Sequence, residues 1–496
     1  MAFDTKFVDI QTKKILGVSE FAVNTKIGLD LEKPLKKVLR VSTISDVTNT
    51  ESIDTDFSMQ GKTQVNVLYL TENDTLCSVT GFADWQNNIK VAGASLQATV
   101  STKEHTVEYA TANEISISIL LNAVAEGIYN TQISPVTQLS EDYVTQEQEV
   151  TYNKIVSCGS EKFVLTDNIE MPNATQVLAV DATVKNLNVA PGIDQISVEG
   201  EVDVKILYST SDGVNTLSKI LDYKREVACL NTTASSIANA KVNLSSAIAT
   251  LETGEKTNCV LAITLNANVD NYLQQTFAVT TDLFSLSQNT STVCECVNHT
   301  NFVSAKYYTD TLVSSINIAE NSIDEIIAYI NPSVEISQTS IKNNNLTIEG
   351  VAQFSIVYKD GITEQISASN QNCPFVSSID IQDANQIENV VATISLNSVK
   401  LRSGKELETT FNLNVQTNIV SEQYLQYVKS IVEEGEKQTN DSAITIYVTK
   451  ENESLFNVAR ALNVLPETIT NQNEVTDGKF ASGQRIFVYN PLNVEF

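Results

Sequence analysis

Residues able to do chemistry are sparse in this chain. The one cluster of metal-ligand types is Cys294-Glu-Cys296 with His299 close behind. A C-x-C pair supplies two or three ligands, whereas structural zinc needs four, most often from two C-x₂-C pairs. Strand alternation places Cys294 and Cys296 on one face, so they are expected to be small buried hydrophobes, with no metal bound. The two histidines, His105 in Glu104-His-Thr and His299 in Asn298-His-Thr, stand in polar, Thr-rich surroundings and are expected at the surface or in turns. No Gly-x-Ser-x-Gly, P-loop or dinucleotide fingerprint occurs. The carboxylates are scattered rather than paired as a glycosidase pairs them. The expectation is therefore a protein without enzymatic activity and without a cofactor. Trp85 stands alone in Ala83-Asp-Trp-Gln-Asn, as an exposed anchor or a partly buried ring. Tyr69, Tyr208 and Tyr358 each close an alternating run and are expected to bury their rings.

Composition narrows the remaining options. Among 496 residues, 32 Lys and Arg face 60 Asp and Glu, a formal charge of −28. Such a chain repels phosphate backbones and anionic bilayers, which excludes nucleic acid as a partner. Hydrophobic residues make up 42%, enough to build a core, which excludes a disordered acidic tail. No secretory signal or long apolar span is visible, so neither export nor membrane insertion is expected. Seven cysteines are too few for a disulfide framework and point to a reducing cytosol.

Positioning falls to strands. One signature occurs three times: Gln60-Gly-Lys-Thr-Gln-Val-Asn-Val-Leu-Tyr69, Glu199-Gly-Glu-Val-Asp-Val-Lys-Ile-Leu-Tyr208 and Glu349-Gly-Val-Ala-Gln-Phe-Ser-Ile-Val-Tyr358. Alternate positions are apolar, the pattern of a strand with one buried face. Asp212-Gly213 and Asp360-Gly361 follow as hairpin turns. A β-rich run precedes each copy (Lys37-Val-Leu-Arg-Val, Gln176-Val-Leu-Ala-Val, Glu325-Ile-Ile-Ala-Tyr), and two more strands follow it. The expected fold is mainly β, with three tandem antiparallel domains of sandwich or barrel type over 1–140, 141–288 and 289–432. The joins lack Gly- or Pro-rich linkers, so neighbours are expected to sit close. From Ser421 to Gly435 the spacing of Leu425, Val428 and Val432 predicts a helix capped at Gly435. Residues 440–496 then read as a small strand–helix–helix–strand domain, with Ser454 as an N-cap.

That last stretch resembles a LysM domain. The match runs through Tyr447-Val, Asn452-Glu-Ser-Leu-Phe-Asn-Val-Ala, Leu462-Asn-Val, Pro466-Glu-Thr-Ile, Asn471-Gln-Asn473 and Ser482-Gly-Gln-Arg-Ile-Phe-Val488. It departs from the family where Asn452-Glu453 replaces Gly-Asp and Ser482 replaces Pro. The resemblance implies a shallow groove flanked by Asn452, Glu453, Ser454 and Asn473-Glu-Val-Thr476. Polar side chains there would meet an N-acetyl group or a protein loop, and Phe456 or Val475 would add apolar contact. The three repeats resemble SPOCS domains of clostridial spore-coat proteins, and SPOCS repeats with a terminal LysM resemble the SipL-type coat morphogenesis family. That resemblance implies a non-enzymatic assembly protein in the mother-cell cytoplasm at the forespore surface and in the coat. Its LysM would dock the ATP-hydrolysing protein of the coat basement layer or another coat protein. The alternative is a peptidoglycan-binding protein of the cell surface or spore envelope.

Overall fold

The structure is a computed structural model that describes residues 4–5, 7–53, 56–91, 94–137, 139–252, 257–317, 323–381, 386–402, 406–437, 442–475 and 478–489. The chain is almost entirely antiparallel strand. After β1 (Asp4–Thr5), the first unit comprises β2 (Val8–Gly28), β3 (Leu35–Ile53), β4 (Asp56–Thr71), β5 (Leu76–Lys90), β6 (Ala94–Ala110) and β7 (Glu114–Ile133). Strands β3-β4-β5 form a meander sheet, and the opening strand β2 pairs with the closing hairpin in the order β2-β7-β6. The two sheets pack face to face around Val65, Val67, Ile117 and Ile119. A two-residue strand, β8 (Val136–Thr137), pairs with β1.

The same plan recurs twice. The second unit has β9 (Tyr143–Glu170), β10 (Ala174–Pro191), β11 (Gln195–Thr210), β12 (Gly213–Ala228), β13 (Ile237–Glu252) and β14 (Asn258–Ser285), in sheets β10-β11-β12 and β13-β14-β9. The third has β15 (Gln288–Asn317), β16 (Ile323–Lys342), β17 (Asn345–Asp360), β18 (Ile366–Asp380), β19 (Gln386–Leu401) and β20 (Glu406–Glu436), in sheets β16-β17-β18 and β15-β20-β19. The module that follows has β21 (Ile444–Val448), β22 (Glu453–Ser454), α1 (Leu455–Leu462), α2 (Pro466–Gln472), β23 (Lys479–Phe480) and β24 (Arg485–Tyr489).

The repeated signature now has a physical meaning. Gly61, Gly200 and Gly350 lie directly opposite Trp85, Tyr223 and Phe375 on the neighbouring strand. A Cβ at Gly61 would fall 2.0 Å from Trp85 Cζ2 and 2.4 Å from the Asp46 carbonyl oxygen. At Gly350 it would fall 2.9 Å from Phe375 Cζ and 2.5 Å from the Glu335 carbonyl. Each glycine is thus the floor on which an aromatic ring lies. Trp85 is consequently buried, donating its indole N–H to Thr63 Oγ1 at 3.2 Å and packing on Phe21. Tyr223 packs likewise on Phe163, and Phe375 on Phe411.

The second meaning concerns the face that alternation leaves unassigned. Leu68, Leu207 and Val357 each precede the signature tyrosine and point away from their own sandwich, and all three are buried in one cluster shared by the three units. Leu39, Leu178 and Ile327, from the preceding β-rich runs, join them. Around this axis the last meander strand of each unit lies against the first meander strand of the next: β5 on β10, β12 on β16 and β18 on β3. The three units therefore close into a ring rather than a string. Below it, the long ends of β2/β7, β9/β14 and β15/β20 form two-stranded ribbons that pack together through Ile10, Ile133, Val150, Tyr152, Val279, Leu425 and Tyr427.

Three expectations are corrected. Residues 421–435 are the end of β20, not a helix. Of these, Ser421 to Glu433 pair along β15 from Asn301 to Thr290, and a bulge skips Lys429 between the partners of Val293 and Cys294. That bulge shifts the buried phase and mimics a helical spacing in a segment rich in Tyr, Val and Ile. Cys294 and Cys296 are exposed, because they face outward from the ribbon. His299 therefore faces inward, 3% exposed, with its ring edge-on to Tyr152. His105 is exposed. Tyr69 and Tyr358 are buried, and Tyr208 is half-buried. The glycines 254 and 404, read as turns, lie outside the described residues.

Charges tie the first unit to the second. Lys13 donates to both Asp270 carboxylate oxygens at 2.9 and 2.7 Å and to Gln97 at 2.7 Å, and it stands 3.3 Å from Glu126. Glu126 also meets Lys241 at 2.9 Å. Burial alone would raise the Glu126 carboxyl, but Lys13 and Lys241 hold it below the ordinary 4.5. A depressed carboxyl stabilises the fold above that ordinary value, and the contribution is lost as pH falls through the folded value.

Two outcomes follow. Gly350→Ala is expected to lower stability by about 1–3 kcal/mol through overpacking, whereas Gly28→Ala, where a Cβ meets nothing within 4 Å, leaves it nearly unchanged; urea denaturation compares them. Glu126→Gln is expected to cost about 1–3 kcal/mol, because Lys241 loses the Glu126 carboxylate while Lys13 keeps Asp270, and to flatten the loss of stability below pH 4.5, read from melting temperature against pH.

Candidate functional site

The terminal module forms where a polar stretch gives way to short apolar runs. Ser454 caps α1, accepting from Asn457 N–H at 3.2 Å, and Asn463 ends it in the left-handed conformation at φ 55°. Pro466 starts α2, where its missing N–H costs nothing. Strands β21 and β24 pair antiparallel, and Val458, Ala459, Ile469, Ile486 and Val488 fill the space between helices and sheet.

The groove residues suggested by the sequence are only partly brought together. Asn452 is exposed in the left-handed conformation at φ 57°. Glu453 accepts from Tyr447 Oη at 2.7 Å and from Lys450 N–H at 2.8 Å. Partial burial works against its ionisation, but those bonds hold its carboxyl below the usual range. Glu453 and Ser454 pair with Lys479–Phe480, which joins the two loops. Asn473 is bonded to the module's own backbone. Its amide donates to the Phe487 carbonyl at 2.8 Å and accepts from Phe487 N–H at 2.8 Å, so it completes β24 like an added strand residue. Val475 is half-buried in the module core, and Thr476 lies outside the described residues.

Phe456 faces the second unit rather than a groove. Its ring meets Phe284, at the tip of β14, at 5.4 Å and 63°. The Arg460 guanidinium lies 4.9 Å from the Phe456 ring centre, pairs with Asp282 and donates to the Leu283 carbonyl at 2.9 Å. Asn463 Nδ2 donates to Leu286 O at 2.7 Å, and Lys437 Nζ bridges Ser285 O and Asn463 Oδ1 at 2.6 and 2.7 Å. The α1 face is thus occupied by the chain itself. Sequence reasoning overlooked this contact, whose one signal was an aromatic in Asp282-Leu-Phe-Ser at a join already read as close-set.

Among the described residues, the opposite face of the module is uncovered. Ile444, Ile446, Val448 and Tyr489 are 54%, 58%, 57% and 54% exposed. They project from the outer side of the β21/β24 sheet with half-buried Phe487 and exposed Arg485. Between the three units lies a cavity of about 710 Å³, walled by Val124, Val184, Val242, Tyr308 and Val415. Asn122 and Asn414 reach its wall, each with an amide atom lacking a protein partner. Among the described residues no group of three or more His, Cys, Asp and Glu is placed to hold a metal, and no helix is long and apolar enough to cross a membrane.

These features can be set beside known families. Residues 173–252 and 322–402 match the family described as SipL, SPOCS domain. The matched SPOCS segments are the meander and the following strand of two units, β10–β13 and β16–β19. They contain Gly200 with Tyr223, Gly350 with Phe375, and the axial residues Leu178, Leu207, Ile327 and Val357. No curated protein and no solved structure matches the chain.

Phe284→Ala with Arg460→Ala is expected to free the module, weakening docking by about 2 kcal/mol or more. Protease cleavage around Lys437 should rise while the main thermal transition of the ring stays in place.

Proposed function

We propose that this chain is a non-enzymatic assembly protein of the spore coat, acting in the mother-cell cytoplasm at the forespore surface. In this reading all three units are SPOCS domains, the first sharing the strand order of the two matched segments, and the terminal module is a LysM domain used to dock a protein. The bare apolar face of β21/β24 carries the proposal. Four aliphatic or aromatic side chains more than half exposed on one small sheet suit a protein surface, because desolvating them is the favourable term in association. The partner is the ATP-hydrolysing protein of the coat basement layer or another coat protein. The ring supplies a rigid body that holds the module at a defined place.

Peptidoglycan recognition is the less favoured alternative. Two of its expected contacts have other work: Asn473 is bound to Phe487 and Phe456 to Phe284.

Full-length chain carrying Ile446→Glu and Val448→Glu tests the reading. Retention on the immobilised basement-layer protein should fall at least tenfold relative to the unaltered chain, with the melting temperature unchanged because both residues are exposed. Unchanged retention, or co-sedimentation with peptidoglycan that Asn452→Ala abolishes, would favour the alternative.

A further inference from the structure

We propose that Cys294 and Cys296 form a covalent self-association site, at which two copies of this chain pair along the free edge of β15 and are joined by two disulfides. Five of the seven cysteines are excluded from such chemistry by position: Cys77, Cys229, Cys259 and Cys373 are buried and Cys158 is half-buried. Cys294 and Cys296 alone are exposed. They cannot close on each other within a regular strand. Residues two apart stand about 6.7 Å apart with parallel Cβ vectors, whereas a disulfide requires Cβ atoms about 3.5–4.5 Å apart.

The occupant follows from the geometry of the pair. β15 is the outer strand of its sheet, and the contacts of Asn153 with Asn301 and Phe302 begin only beyond this stretch. Val293, on the opposite face from the thiols, is 47% exposed, whereas Val297 on that face packs into the ribbon core, so the edge is open on the thiol side and, at Val293, on the other side as well. A C-x-C sequence is complementary to itself in antiparallel register. With a twofold axis at Glu295, Cys294 of one copy stands opposite Cys296 of the other, and the reverse holds too. Directly opposed residues of an antiparallel pair bring their Cβ atoms to about 4.5–5.5 Å, close enough for modest adjustment to form the bond.

Charge favours the same occupant. In a chain of net charge −28, copies repel over most of their surface. Yet the outward residues here, Cys294, Cys296, Asn298, Tyr424 and Gln426, are uncharged. Glu295, which would meet its own copy at the axis, is already paired with Lys429 at 3.0 Å. Tyr424, 65% exposed, places its hydroxyl 2.7 Å from Cys296 Sγ and would be displaced as the bond forms.

The chemistry needs an oxidant, supplied by a small-molecule disulfide such as oxidised glutathione. The Cys296 thiolate attacks one glutathione sulfur and releases reduced glutathione. The Cys294 thiolate of the second copy then attacks the mixed disulfide and releases the other. Each protein disulfide thus consumes two thiols and one oxidised glutathione and yields two reduced glutathiones.

The test uses full-length chain with oxidised glutathione, read on non-reducing gels and by peptide mapping. The unaltered chain should give a dimer that dithiothreitol reverses, with Cys294 linked to Cys296. Cys294→Ser and Cys296→Ser should each fail to dimerise alone, because serine then opposes the remaining thiol. Mixed together, they should give a heterodimer through one disulfide. A disulfide between Cys294 and Cys296 of one chain, a monomer carrying glutathione, or equal dimerisation of either single variant by itself would overturn the proposal.

Discussion

The architecture depends on one contact, the meeting of Leu68, Leu207 and Val357 on the ring axis. Each belongs to a central meander strand whose other face is committed to its own sandwich, so these strands are buried on both sides. Removing such side chains from water in a shared cluster makes the three units one body. Separate sandwiches would leave the cluster as an apolar face on each. The glycines act one level down. By admitting Trp85, Tyr223 and Phe375 flat against the central strand, they close each sandwich core and hold that strand in the orientation that turns the axial residues outward.

Departures from threefold symmetry lie where the units must be told apart. Arg40 stands where the other units carry Ala179 and Ala328, and it is buried beside Asp181, whose carboxylate accepts from Asn331 N–H of the third unit at 2.7 Å. Burial lowers the guanidinium to about 10 despite the nearby carboxylate. Burial raises the Asp181 carboxyl. Such a pair is a poor source of stability, yet it distinguishes the seams, since an arginine placed against a wrong neighbour would have no counter-charge. The Lys13, Asp270, Glu126 and Lys241 cluster marks the seam between the first two units in the same way.

Much of this was legible in the sequence, and the remainder was hidden for definite reasons. Alternation reveals strands and one buried face of each, and the repeated Gly-to-Tyr signature marks the recurrence. Alternation is blind to burial of the second face, so Leu68 and its counterparts passed as ordinary strand residues. It also reports that Cys294, Cys296 and His299 divide between two faces without saying which is inside, because that is decided by ribbons from the other two units. The bulge at Lys429 turned a strand into an apparent helix. In the module, the Ser454 cap and the Pro466 start are local and readable. The commitments of Phe456 and Asn473 depend on Phe284 and Phe487, which no local pattern connects to them.

The ring also sets a count. Three separate copies of one unit, assembled by the same contacts, would present three equivalent terminal arms. A single chain that closes the ring within itself carries one, fixed over the tip of β14. On the proposed docking role, the molecule engages its partner through one module whatever the symmetry of its body, and a layer built on that contact would hold one ring for each partner subunit engaged.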